Sequence, residues 1–159
     1  MSKKAAAAII PAGSVVALDQ LTKALLVSGL GMHEKIHVIP GFLDLVHVRN
    51  RGMAFGILNR PSGDWAVYAL SAVTAAAVVF LLWWLHRTVG EKPEAAPALS
   101  MIIGGAVGNL IDRLRLGEVV DFVDLYIGGF HWPAFNVADS AITLGCIWLV
   151  ILALQGKTR

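Results

Sequence analysis

The sequence predicts an α-helical integral membrane protein: four transmembrane helices, with a small extracytoplasmic β-sheet and a loop or short helix over their outer end. Three observations carry this. Apolar residues fill 57% of the 159 positions and charged residues only 15%, and a soluble chain this short has no means of hiding that excess. Four segments approach the roughly 20 apolar residues that a helix needs to cross a hydrocarbon core of about 30 Å. The ionisable residues in and beside those segments gather near one depth. The chain is expected to form a single membrane-embedded domain, 1–159. A formal charge of +2 with scattered basic residues leaves no electrostatic footprint for nucleic acid. The lone cysteine, Cys146, excludes a disulfide framework.

The first span covers approximately 5–30. It starts as the uncharged run Ala5 to Leu18, is interrupted by Asp19 and Lys23, and continues through Ala24 to Leu30. Lys3-Lys4 before an alanine-rich run also fits a secretory signal peptide, but the run outlasts the usual apolar region and Asp19-Gln20 makes a poor cleavage site. A retained helix fits better. The second span, approximately 65–86, contains the charge-free Ala66 to Leu85, with Trp65 and Tyr68 at one end and Trp83 and Trp84 at the other, as interfacial aromatic belts require. The third, 95–113, and the fourth, 136–156, contain the uncharged runs Ala95 to Ile111 and Ser140 to Gly156.

Four spans put both termini on one side. Lys3, Lys4, Arg87, Lys92, Lys157 and Arg159 lie on that side, and Lys35, Arg49, Arg51, Arg60, Arg113 and Arg115 on the other. The tally is equal, but the first set falls in about 17 loop residues and the second in about 62, and short segments near helix ends dominate orientation. Cytoplasmic termini are expected, with the long loops 31–64 and 112–139 outside. Residues 34–49 are rich in β-branched and aromatic residues around the turn signal Pro40-Gly41, and Val119 to Ile127 followed by Gly128-Gly129 repeats that pattern. Both read as strands of a small sheet lying on the membrane.

Ionisable residues within spans are functional candidates by default. Asp19 lies about 21 Å into the core, counting about 1.5 Å per residue from Ala5. Asn109, Asp112 and Arg113 end span three, and Asn136 and Asp139 open span four. All fall near the outer face. Asp19 and Lys23 share a helix face at i, i+4 and can neutralise each other, as Asn109 and Arg113 share another. Gly104 and Gly108 form a G-x-x-x-G that admits a close helix neighbour. If the second strand stretch folds back over the bundle mouth, Asp121 can meet Asp139. Two carboxylates about 3 Å apart share one proton, so that the anion activates water while the acid polarises a carbonyl. A plainer reading stands beside it: Asn136 and Asp139 form a capping box, and Asp121 and Asp124 are solvated loop acids.

His33-Glu34-Lys35-Ile36-His37 has the H-E-x-x-H zinc spacing. Its surroundings, Gly29 and Gly31 before and Pro40 after, predict extended chain, on which residues four apart stand about 13 Å apart. On such a chain that is too far to share one zinc, which leaves a zinc metallopeptidase using His33, Glu34 and His37 as a lesser alternative. A non-enzymatic alternative is a small membrane scaffold or ion-conducting subunit using Asp19, Asp112 and Asp139 as a polar track.

Five ordered blocks give the chain a specific likeness: Leu18-Asp19-Gln20-Leu21-Thr22-Lys23; Asn50-Arg51-Gly52-Met53-Ala54-Phe55-Gly56; Gly104 to Arg113; Val120-Asp121-Phe122; and Phe135-Asn136-Val137-Ala138-Asp139-Ser140. Over nearly its whole length the sequence resembles lipoprotein signal peptidase, or signal peptidase II, an aspartic peptidase family of bacterial inner membranes. The resemblance implies an endopeptidase that removes the signal peptide from diacylglyceryl-modified prolipoproteins, cutting just before the lipidated cysteine with Asp121 and Asp139 as catalytic dyad. It implies supporting roles for Asp19, Lys23, Asn50, Gly108, Asn109, Arg113, Asn136 and Ala138. No cofactor or metal is expected, and the expected partners are prolipoprotein substrates and membrane lipids, with the enzyme a monomer. One departure is Arg51-Gly52-Met53, where the family pattern leads us to expect Thr-Gly-Ala.

Overall fold

The computed structural model describes residues 3–52 and 65–156. Its four long helices are α1 (Lys3–Gly29), α2 (Trp65–Glu91), α3 (Ala96–Leu116) and α4 (Val137–Leu154). Each is long and apolar enough to cross a bilayer, and only helices whose backbone groups are satisfied internally do so in this class. The chain is a multi-pass membrane protein. Helix ends run past the expected spans where charge alone had marked a limit. Thus α3 continues beyond Arg113 to Leu116 and stops where Gly117, at φ 74°, donates its N–H to the Arg113 carbonyl. A glycine in the left-handed region is a common helix terminator.

α3 is the central helix and packs against the other three. Two-thirds of its apolar window is buried, against about a tenth in α1 and α2, so the outer helices give most of their apolar surface to lipid. Small residues make this possible. A Cβ on Gly104 would lie 2.7 Å from the Ala12 carbonyl oxygen of α1, and one on Gly105 would collide with the Ala138 carbonyl oxygen of α4. Each glycine therefore lets a neighbouring backbone approach closely. The spacing of Gly104 and Gly108 predicted one close neighbour; Gly105 supplies the second. Leu85 of α2 packs with Ala96, Leu99 and Ile103 of α3 to close the other side.

Strands β1 (Lys35–Ile39), β2 (Leu43–Asn50), β3 (Val119–Ile127) and β4 (Phe130–His131) form one antiparallel sheet in the order β1-β2-β3-β4. Both expected strand stretches are present, turning at Pro40-Gly41 and Gly128-Gly129. The first four residues of β3 are buried. They are tied to the approach of α4, since Phe122 and Val123 both donate to the Phe135 carbonyl and Phe135 donates back to Val123. Met53 to Gly56 of the second sequence block and Arg60 lie outside the described residues.

Candidate active site

Beneath the sheet, one hydrogen-bonded cluster joins α1, α3, β3 and α4. It begins with Asp19, fully buried on α1. Its Oδ1 accepts the Ala138 backbone N–H at 3.0 Å, and its Oδ2 accepts Lys23 Nζ at 2.8 Å and Gln20 Nε2 at 3.1 Å. Gly108 makes room for this, because a Cβ there would stand 2.6 Å from Asp19 Oδ2 and 3.4 Å from Ala138 Cβ. The i, i+4 pair expected from spacing is present but larger than expected. Lys23 Nζ also meets Asp112 Oδ2 at 2.8 Å and Asn109 Oδ1 at 3.2 Å. All three ammonium protons thus have acceptors, which a buried lysine requires.

Asp112 links the cluster to the sheet. Its Oδ2 accepts the Val120 N–H at 3.2 Å and its Oδ1 accepts Gln20 Nε2 at 2.9 Å. Asn109, a turn earlier on α3, donates Nδ2 to Asp139 Oδ1 at 2.8 Å. Arg113, the residue after Asp112, lies in the field of Asp139, Asp121 and Asp112. Its Nε is buried without a hydrogen-bond partner among the described residues.

Asn136 is the junction. Its Oδ1 accepts the Asp139 N–H at 2.9 Å while Asp139 Oδ2 accepts the Asn136 N–H at 3.2 Å, completing the capping box. The other end of the same side chain donates Nδ2 to Asp121 Oδ1 at 2.8 Å, with Asn109 Oδ1 and the Val120 carbonyl each at 3.2 Å. One fully buried amide therefore starts a helix and grips both Asp121 and the Asp139 turn. Asp121 Oδ2 accepts Asn50 Nδ2 at 3.0 Å, and Asn50 Oδ1 in turn accepts the Gly52 N–H at 2.8 Å.

The two carboxyl groups differ in surroundings. Asp121 is buried, and burial pushes its carboxyl up to about 6, with Asp139 adding to the rise and Asn50, Asn136 and Lys23 opposing it. Asp139 is half-buried and lines an apolar groove of about 500 Å³ with Leu125, Trp132, Phe135, Ser140, Thr143 and Leu144. A buried acid whose carboxyl is raised toward neutrality, beside a second acid open to a cleft, is suited to general acid–base hydrolysis.

The ten residues to which the resemblance gives site roles all lie in or against this cluster. Asp121 is buried on β3 and is not a solvated loop acid, whereas Asp124, half-buried on the same strand, pairs with the exposed His131 at 2.9 Å. Sequence reasoning missed Gln20, whose only signal was its place beside Asp19. The H-E-x-x-H residues are dispersed. His33 sits in a turn at φ 64°, Glu34 accepts the Gly31 N–H at 2.8 Å, and His37 on β1 meets Asp44 Oδ1 at 2.8 Å.

Comparison with known proteins shows the family to which the chain is similar. Residues 12–155 match a family described as signal peptidase (SPase) II. A lipoprotein signal peptidase of Syntrophotalea carbinolica is 50% identical over 139 residues, spanning 87% of this chain and 84% of that one. One from Desulforapulum autotrophicum is 47% identical over 143 residues, spanning 90% and 88%. Among solved structures, a bacterial membrane enzyme determined in meso at 1.9 Å superposes with a TM-score of 0.78 at 35% identity, covering 92% of each chain.

Proposed function

The chain belongs to the signal peptidase II family, and on that premise we propose that it is an aspartic endopeptidase of the bacterial inner membrane that removes the signal peptide from diacylglyceryl-modified prolipoproteins. Asp121 and Asp139 are the catalytic pair. The observation that carries the reading is the Asn136 side chain, bound at once to the Asp121 carboxylate and to the Asp139 backbone. Asp121, buried, holds the shared proton; Asp139, facing the groove, is the base.

The water oxygen attacks the scissile carbonyl carbon and passes one proton to Asp139 while Asp121 gives its proton to the carbonyl oxygen. A neutral gem-diol results. As the C–N bond breaks, Asp139 delivers its proton to the leaving nitrogen and Asp121 recovers one from a diol hydroxyl, restoring the starting state. Asn109 and Asn136 keep Asp139 oriented, and Arg113 offsets negative charge near the pair. Asp19, Lys23, Gly108 and Ala138 hold α1, α3 and α4 in register, and Asn50 fixes the second Asp121 oxygen.

We place both termini in the cytoplasm and the site near the extracytoplasmic face, within one domain, 1–159, acting as a monomer. The loop charge distribution and the common depth of the polar residues support that orientation. A scaffold or ion-conducting track calls for acids spread through the bilayer, whereas here Asp19, Asp112, Asp121 and Asp139 gather in one cluster. The test is cleavage of a diacylglyceryl-modified precursor beside its unlipidated twin by the purified enzyme. The lipidated form alone should be cut, and Asp121→Asn or Asp139→Asn should lower turnover about 10³-fold or more. Substantial turnover by either variant overturns the dyad.

A further inference from the structure

An ionic cluster at the sheet margin plays no part in the chemistry above. Glu118, just ahead of β3, is half-buried and meets Arg49 Nη1 at 3.3 Å through Oε1 and the exposed Arg51 at Nε, 3.5 Å away, through Oε2. Between those arginines stands Asn50, whose amide donates to Asp121 Oδ2 at 3.0 Å. The register of β2 on β3 pairs Arg49 with Val120 and Asn50 with Val119. Alternation along paired strands then sets Glu118 on the face of Arg49 and Arg51, and Asp121 on the face of Asn50. Gripping the residues on either side of Asn50 fixes the rotation of the strand end between them.

We propose that Glu118 is a positioning residue: by clasping Arg49 and Arg51 it holds the Asn50 amide on Asp121, and so governs how firmly the dyad keeps its proton. Arg51 also belongs to the Arg51-Gly52-Met53 departure from the expected family pattern, and the clasp gives that arginine a task. The inference rests on the dyad reading. The other charged groups around Asp121 are Lys23 from α1, Asp112 and Arg113 from α3, and Asp139 from α4. None belongs to the clasp.

The Asn50 hydrogen bond favours the Asp121 anion. Loosening it makes the acid hold its proton to higher pH, so the alkaline limb of kcat/KM moves upward by about 0.5–1 pH unit. The experiment measures full pH profiles of the full-length enzyme on a diacylglyceryl-modified precursor for Glu118→Gln and Arg51→Gln. The clasp predicts an alkaline shift in both. Charge acting through space predicts opposite shifts, because removing an acid favours the Asp121 anion and removing a base disfavours it. Opposite shifts, or no movement in either variant, overturn the proposal. Thermal unfolding of each variant identifies folding failures. Where a Gln variant does not fold, Glu118→Asp and Arg51→Lys keep the charges but shorten or reshape the contacts. Both should then shift alkaline by a smaller amount, and a static profile again refutes the clasp. Failure of the dyad itself is separately visible, as turnover by Asp121→Asn or a wild-type profile without two limbs.

Discussion

Asp121 is buried and held in hydrogen-bond contact by two neutral amides rather than by a cation, so Asp121→Asn should separate its burden on stability from its use in catalysis. Burial raises the carboxyl from 3.8 to about 6. The folded state then binds the proton more tightly than the unfolded chain. The resulting stabilisation is full below the unfolded value and is lost as pH rises to the folded value. A rise of about 2 units at about 1.4 kcal/mol each amounts to about 3 kcal/mol. Between about pH 4 and pH 8 the change is nearer 2 kcal/mol, because unfolded aspartate is already partly ionised at the lower limit. The Asn variant carries no such dependence at this position. Its new amide nitrogen faces Asn50 or Asn136 as donor against donor, at a pH-independent cost of about 1–3 kcal/mol. That cost sets where the two stability curves cross but not how far they move. Thermal unfolding in micelles, followed by tryptophan fluorescence across that range, should show the Tm difference moving in favour of the variant by roughly 4–8 °C. Parallel curves would refute the idea that Asp121 carries a penalised charge, and with it the physical basis for a shared proton.

Removing the Lys23 ammonium leaves Asp19 and Asp112 buried without their common cation, so Lys23→Met should cost about 3–5 kcal/mol and also slow cleavage through the lost donor to Asn109; an unchanged Tm refutes this. Gly108→Ala forces a methyl against Asp19, whereas Gly13 has nothing within 4 Å of a built Cβ. The first should lose about 1–3 kcal/mol and most activity, and Gly13→Ala should lose neither by the same unfolding and cleavage assays. His33→Asn and His37→Gln should leave cleavage within about twofold and insensitive to chelator. Loss of activity restored by added zinc would reinstate the metal reading.

The helices were legible because spanning length and absence of charge are local properties, and the strands because Pro40-Gly41 and Gly128-Gly129 break runs of β-branched residues. What depended on rotation and register was not. Spacing gave Lys23 one partner, Asp19, but its second, Asp112, lies on another helix, and no periodicity reports which faces of α1 and α3 meet. The same limit hid Gln20, which reaches Asp112 and the Gly108 carbonyl at once. Glu118 was beyond reach because its partners follow from the β2–β3 pairing, which shifts register between Leu45 and Val48. A one-residue slip would have sent Asn50 to the opposite face.

Asn136 was offered two readings, helix cap or active-site ligand, and the geometry makes them one. A carboxamide presents an acceptor and a donor at opposite ends. Here the acceptor engages the first turn of α4 and the donor engages β3. The capping interaction places Asp139 at the third position of the helix, where the N-terminal dipole favours its charge, and it aims the remaining amide protons at Asp121. The isosteric change Asn136→Asp would lose the donor and add a third acid; Asn136→Ala would lose both ends. The Asp121 and Asp139 carboxylates therefore come from different elements, β3 and the first turn of α4, yet their relative placement depends on one side chain whose local role is to begin a helix. This coupling explains why the site is built at the start of α4, under β3, rather than deeper along the bundle.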